Sequence, residues 1–462
     1  MKSFIAATLF AATALADLCA HGSTDDNGNY YCQKVNAITY SGVGGTGSYN
    51  KITAMDSTGG TCASSPSGYS GTMSPFDEEV SMHFRGPLNL KQFAVYTPSS
   101  SPSKAKLARR SANDRRHAHG HGHAHLHHAR DAAAKEKRGL GDMVTAMING
   151  EVVSWVNEYA GGAAATSAAA PAASTAEASA PAAYQPARRP AAASSDASAS
   201  SHSSASSSDD DSSSSNGWTR QAYYDASSGT SNGLVFLNHE GGTGSGVFDM
   251  QFGNSLSYAS TDACSGVAAP TVLEDCTLKS STEVVIMSDK KCSDDEGCGF
   301  SRDGTVAYHG FDGPSKAFFF EFGMPDSGET ATNPYDPVNM PAIWMLNAQI
   351  PRTLQYGKPE CSCWTTGCGE FDIFEVLAAG DTRCKSTMHG NIAGGDSDYF
   401  ERPVTGTIKA ALLLYKDNMH IKIIDNSTEF GNDMPMTFLD DMVKDTMEDS
   451  LSNLVSLFKL SS

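Results

Sequence analysis

Cys368-Gly369-Glu370-Phe371-Asp372-Ile373-Phe374-Glu375-Val376-Leu377 sets three carboxylates, in the order Glu-x-Asp-x-x-Glu, inside an otherwise apolar and β-prone run. An acid on such a strand costs desolvation energy, so three together need a chemical reason. On a regular strand positions 370 and 372 share a face, whereas 375 lies an odd number of residues away and points to the other. One β-bulge between Asp372 and Glu375 absorbs the extra residue and returns Glu375 to the face of Glu370. The glutamates are then about four strand steps apart, roughly 13 Å of backbone. If each side chain leans roughly 4 Å toward the other, about 5 Å remains between the carboxylates. Two carboxyl groups at that separation around one bond are what a retaining glycoside hydrolysis requires. A solvent-exposed acidic strand is the weaker alternative, because Phe371, Ile373 and Phe374 imply one face packed against a second sheet.

The run resembles the signature of the family-16 glycoside hydrolases, the laminarinases and lichenases. Upstream, Met340-Pro341-Ala342-Ile343-Trp344-Met345-Leu346 is similar to the Pro-Ala-x-Trp-Met-Leu strand that precedes the catalytic strand in that family. Downstream, Ser386-Thr387-Met388-His389-Gly390 is similar to its His-bearing strand, and 411–426, with Met419-His420-Ile421-Lys422-Ile423-Ile424-Asp425, to a later strand pair. The resemblance implies a concanavalin-like β-jelly-roll sandwich. It also implies Glu370 as nucleophile, Glu375 as general acid/base, and Asp372 as the residue that orients and tunes Glu370. An insertion at 347–367, carrying Cys361, Cys363 and Trp364, departs from the pattern and leaves the sugar subsites open.

At 462 residues the chain has room for about two or three domains. Lys2, the mostly apolar run 4–10 and Ala14-Leu15-Ala16 read as a secretory signal over 1–16. No later run is long and apolar enough to span a bilayer, and the C-terminus lacks a GPI-anchor pattern, so a secreted, extracellular or cell-wall chain is expected, with no membrane partner. Eleven cysteines fit an oxidising compartment. Cys361, Cys363 and Cys368 are read as disulfide-forming rather than metal-binding. The eight late cysteines can pair among themselves, and the three early ones leave one over for an intermolecular bond. Asn426-Ser427-Thr428 is a glycosylation sequon. The net charge of −19 argues against nucleic acid and is compatible with an uncharged polysaccharide.

Composition divides the chain further. Residues 17–98 are Gly-, Ser- and Thr-rich with short β-prone pieces at 35–40, 80–84 and 92–96, and read as a small all-β module. Residues 99–138 form a basic, His-rich linker. It carries the dibasic pairs Arg109-Arg110, Arg115-Arg116 and Lys137-Arg138, which read as processing sites, and seven histidines over 117–128 that are read as incidental to a linker rather than as a metal site. A short ordered segment is expected at 139–160, and an Ala/Ser/Pro-rich, O-glycosylated stalk at 161–215. Residues 217–430 carry recurrent short strands with Gly-rich turns, the mark of a sandwich and the expected catalytic domain. In 431–462, Leu439, Val443, Met447, Leu451, Leu454 and Phe458 recur at helical spacing and predict a helical tail.

This layout resembles the fungal "target of SBF" cell-wall proteins, whose Gly-rich N-terminal domain begins near a sequence like Leu18-Cys19-Ala20-His21-Gly22. That resemblance implies a cell-wall endo-β-1,3-glucanase acting on β-glucan. No cofactor or metal is expected, and a monomer is. Trp344, Trp364 and Tyr356 are the candidates to stack on sugar rings, with core packing the rival reading for Trp344. His389 is a candidate to reach the substrate from an adjacent strand. Two alternatives stay open: a β-glucan transglycosylase using the same residues, and a non-enzymatic glucan-binding wall protein.

Overall fold

A computed structural model describes residues 22–99, 143–148, 151–156, 217–293, 297–332, 337–447 and 454–460. The expected signal, both linkers and the dibasic pairs lie outside these residues. Within 139–160 the described part is an antiparallel hairpin, Met143–Ile148 with Glu151–Val156.

The chain is an all-β sandwich. The back sheet runs in the order Thr230–Asn232, Trp218–Asp225, Asn89–Pro98, Lys316–Gly323, Ile408–Tyr415, Asn418–Ile424, Ala37–Ser41 and Val455–Lys459. Asp433–Met434 adds beside Trp218–Asp225. The front sheet runs Gly266–Val267, Ser257–Ala259, Leu234–Asn238, Glu283–Ser288, Val80–Arg85, Ala342–Asn347, Glu370–Glu375, Arg383–His389 and Gly394–Gly395, with Phe400–Glu401 off its edge.

Alternation along each strand sends one set of side chains into a shared core. Ile38, Tyr40, Phe93, Val95, Phe318, Phe320, Leu412 and Ile421 enter from the back sheet. Met82, Phe84, Val284, Ile286, Ile343, Met345, Phe371 and Ile373 enter from the front. Phe93 sits at the hub, with ring centroids 6.0 Å from Phe84, 6.3 Å from Phe318 and 5.8 Å from Phe320. Each such side chain contributes about 1.5–3 kcal/mol on burial.

Residues 17–98, expected as a separate small module, do not stand apart. Val80–Arg85 lies between Glu283–Ser288 and Ala342–Asn347, and Asn89–Pro98 between Trp218–Asp225 and Lys316–Gly323. The local pattern marks these segments as half-buried strands but carries no information about which distant strands complete their hydrogen bonds. The expected strand at 305–309 supplies only an isolated bridge, Lys291 with Tyr308.

The helical tail is also corrected. A helix spans Met436–Met447 and packs Leu439 and Met442 against Trp218, Phe319 and Phe430 on the outside of the back sheet. Val455–Lys459 is instead a strand, parallel to Ala37–Ser41. There Phe458 and Leu460 are buried while Leu457 and Lys459 are exposed, a period of two that the spacing of Leu454 and Phe458 hides.

Among the described residues the disulfides are Cys62–Cys361, Cys292–Cys298 and Cys363–Cys368, with Cys32 also bonded. Cys62–Cys361 overturns self-contained pairing of the eight late cysteines, and Cys264, Cys276 and Cys384 are free thiols. The interleaved strands and Cys62–Cys361 together mean that a cut at Lys137-Arg138 divides the chain without dividing the fold. The expectation is that nicked protein stays one particle under native conditions, runs as one band on a denaturing gel without reductant, and as two with it. Release of the N-terminal fragment in native buffer would contradict this topology.

Candidate active site

The outer face of the front sheet is built from rows of directly opposed residues. One row carries Glu283, Arg85, Ala342, Glu375 and Lys385, the next Val285, His83, Trp344, Asp372 and Thr387, and the third Ser81, Leu346, Glu370 and His389. The carboxylate trio therefore shares one face. Its register is interrupted where the spacing predicts it: Asp372 faces Thr387 and Glu375 faces Lys385, so the catalytic-strand candidate has one residue more than its neighbour. On the other side, Trp344 faces Asp372 and Ile343 faces Phe374, leaving Ile373 as the extra residue. Ile373 and Phe374 both bury in the core. The bulge is held by buried Ser386, whose hydroxyl donates to the Asp372 carbonyl at 2.8 Å, while the Ser386 carbonyl accepts from the Tyr40 hydroxyl at 2.7 Å.

Each carboxylate has its own partner. Glu370 accepts from Trp364 Nε1 at 2.5 Å. Asp372, 6% exposed, pairs with His389 Nε2 at 2.9 Å. Glu375 Oε1 lies 3.6 Å from Arg85 Nη2. Burial, and after it the Asp372 charge, raises Glu375 to about 8 and Glu370 to about 7. Arg85 and His389 oppose the rise at Glu375, and His389 and the Trp364 hydrogen bond oppose it at Glu370. At His389 burial favours the neutral ring, but the Asp372 hydrogen bond and the surrounding carboxylate charges outweigh it and hold the pKa up at about 9.

The insertion at 347–367 is what delivers Trp364. It contains a short helix at Gln349–Thr353 and two 3-10 turns, Pro359–Cys361 and Cys363–Thr366. Ser362 caps the second turn, and Cys363–Cys368 ties it to the start of the Glu370 strand. From the other side it is gripped by the long hairpin Gly44–Asp56 and Thr61–Thr72. Cys62 bonds Cys361, and the Asn50 backbone N–H donates to Thr366 Oγ1 at 2.8 Å. Trp364, expected as a sugar platform, is thus a hydrogen-bond donor to Glu370.

Trp344, also expected to stack on sugar, is 4% exposed. His83 stacks against its ring at 5.1 Å and the Arg85 guanidinium lies 5.7 Å from it, so it is a packed element of the floor. Packing wins over exposure there because Tyr49 of the long hairpin, Ile350 and Cys363 of the insertion, and Cys368 just after it cluster with Trp344. His389 joins the trio. Tyr356 does not: its hydroxyl donates to Glu283 Oε2 at 2.7 Å, at the far end of the first row. The sequence reading missed Arg85, His83 and Glu283. The signal was available, since each is an ionisable residue on an otherwise apolar strand, the same argument that singled out Glu370.

The coupling of His389 to Asp372 can be read by NMR. Raised above its ordinary 6.5, the pair stabilises the fold fully below that pH, and the contribution is lost as pH rises through about 9. The His389 ring is expected to titrate near 9 in the unaltered protein and about one unit or more lower in Asp372→Asn. An unchanged midpoint in the variant would show that Asp372 does not set it.

Comparison with known proteins places this geometry in a family. Residues 216–442 match the model described as "Cell wall protein YJL171C/Tos1, C-terminal", and residues 36–98 its N-terminal counterpart. A Candida albicans protein named "Probable circularly permuted 1,3-beta-glucanase TOS1" is 41% identical over 451 residues, covering 93% of this chain and 95% of its own. A Saccharomyces cerevisiae protein of the same name is 42% identical over 436 residues, 93% and 94% of the two chains. An Arthroderma benhamiae "Probable circularly permuted 1,3-beta-glucanase" is 41% identical over 387 residues, 83% and 82%. No solved structure matches this chain. With both family models matched in order and relatives aligned over nearly their whole length, this chain belongs to the cell wall protein YJL171C/Tos1 family.

Proposed function

We propose that the chain is a secreted cell-wall glycoside hydrolase that cleaves internal β-1,3 bonds of glucan with retention of configuration. The observation that carries this reading is the bulged strand, which turns Glu370, Asp372 and Glu375 to one face of the front sheet. The names of the relatives supply the substrate, a 1,3-β-glucan. Their description as circularly permuted agrees with a chain whose N-terminal strands are inserted between C-terminal ones.

In this mechanism Glu370 attacks the anomeric carbon while Glu375 gives its proton to the departing glycosidic oxygen. The products are a glycosyl-enzyme ester on Glu370 and a shortened glucan. Glu375, now ionised, takes a proton from water as that water attacks the anomeric carbon, freeing Glu370. The raised pKa of Glu375 suits an acid that must hold a proton near neutrality. Trp364 and cationic His389 both favour the ionised form of Glu370. Asp372, fixed by His389, stands between the two glutamates and tunes them through its charge.

Assay on β-1,3-glucan oligosaccharides tests this. Glu375→Gln is expected to lower kcat by about 10²- to 10⁴-fold, and Glu370→Gln by at least as much. In the unaltered enzyme activity should fall as pH rises through about 8, because Glu375 loses the proton it must donate. Folded protein that binds glucan without cleaving it, or a Glu370→Gln variant of full activity, would overturn the assignment.

A further inference from the structure

Of the trio, only Glu375 lies in the first outer-face row, toward one side of it. At the other end Glu283 starts the Glu283–Ser288 strand and is the centre of a second polar constellation. His83 Nδ1 lies 2.9 Å from Glu283 Oε1, and Gln355 Nε2 donates to the same oxygen at 2.8 Å. Tyr356 donates to Oε2 at 2.7 Å, and His239 Nδ1 stands 3.8 Å from Oε1. Against its burial, the His83 and Tyr356 hydrogen bonds and the charges of His239 and His83 drive the Glu283 carboxyl down to about 2, so it is a fixed anion.

Two features of the constellation are unexplained by folding. Tyr356 is 59% exposed, although its hydroxyl is pinned by the half-buried Glu283 carboxylate. Both ring nitrogens of His239, and Gln355 Oε1, are shielded from solvent yet meet no hydrogen-bond partner among the described residues. Such orphaned polar groups are uncommon in a folded interior. An exposed aromatic ring held rigid by its own hydroxyl has the chemistry of a sugar platform, its open face supplying the apolar contact on which a sugar ring stacks.

The position fits a chain that also reaches the trio. Glu283, Arg85, Ala342 and Glu375 are successive cross-strand partners, so the constellation lies three strand spacings, about 14 Å, from Glu375 along the sheet.

We propose that Tyr356, with Gln355 and His239 around Glu283, forms a second subsite that takes a glucosyl ring of the bound glucan several units from the bond cleaved. The inference rests on the hydrolase reading above and extends it to the length of chain recognised. A polymer held here and at the trio is preferred over a short oligosaccharide, which gains nothing from the remote ring.

The test is kcat/KM of the full-length protein on β-1,3-glucan oligosaccharides of graded length, for the unaltered chain, Tyr356→Ala, Tyr356→Phe and Glu283→Gln. The unaltered enzyme is expected to improve with length until the constellation is reached. Tyr356→Ala should lower the ratio of long-chain to short-chain kcat/KM about tenfold or more, chiefly through KM. Tyr356→Phe should fall between, keeping the ring but losing its anchor. Glu283 is half-buried against His83, so Glu283→Gln risks the fold, whereas Tyr356 is exposed and Tyr356→Ala does not carry that risk. No length dependence in the unaltered enzyme, or a Tyr356→Ala ratio equal to it, overturns the subsite while the hydrolase reading stands. No turnover at any length overturns the hydrolase reading and the subsite with it.

Discussion

The β-bulge between Asp372 and Glu375 lets two adjacent side chains, Ile373 and Phe374, both enter the core while the carboxylates on either side keep the outer face. Without the extra residue, either Glu375 would turn inward among Phe322 and Phe400, or Phe374 would turn out to water. Both cost more than the hydrogen bonds a bulge disturbs, since an unpaired buried carboxylate is prohibitive and a Phe is worth several kcal/mol of burial. Ser386 compensates the irregularity by donating to the Asp372 carbonyl. Everything proposed for the reaction depends on this one local solution, because it turns both glutamates toward the same bound chain.

Around the bulge, charge is arranged to be expensive and useful. The Asp372 charge raises both glutamates on its strand, and the surrounding partners divide their roles. Arg85 stands beside Glu375, Trp364 donates to Glu370, and His389 is paired with Asp372. These partners come from far apart in sequence. Arg85 belongs to a strand that must insert between Glu283–Ser288 and Ala342–Asn347, and Trp364 to an insertion stapled by Cys62–Cys361 and Cys363–Cys368. The site therefore forms only when the N-terminal strands have docked, and such non-local pairing is slow to assemble.

Much of the site was legible in ten residues. Counting positions along Glu370–Glu375 is enough to demand a bulge, because side-chain direction on a strand has a period of two. The all-β sandwich followed from recurrent short strands and Gly-rich turns. What could not be read was pairing between distant segments. Alternation in Val80–Arg85 shows that one side of the strand is buried, but not that its neighbours are the distant Glu283–Ser288 and Ala342–Asn347. The same ignorance made 17–98 look like a module, hid Cys62–Cys361, and concealed Arg85 and Glu283 as neighbours of the trio. Trp364 stood out in the sequence as a candidate to stack on sugar, whereas its hydrogen bond to Glu370 depends on the turn that aims Nε1 there. In the tail, residues four apart satisfied both a helix and a strand, and the exposed edge of Ala37–Ser41 decided for the strand.

Glu370 and Glu375 share one face of the sheet, and direct attack by Glu370 needs them about 5 Å apart. The most direct test is the anomeric configuration of the first product, followed by proton NMR from the moment enzyme meets a β-1,3-glucan oligosaccharide. The account predicts β-configured ends appearing first, with α forming later by mutarotation. An initial α product would mean that water, not Glu370, attacks the sugar, and would contradict it.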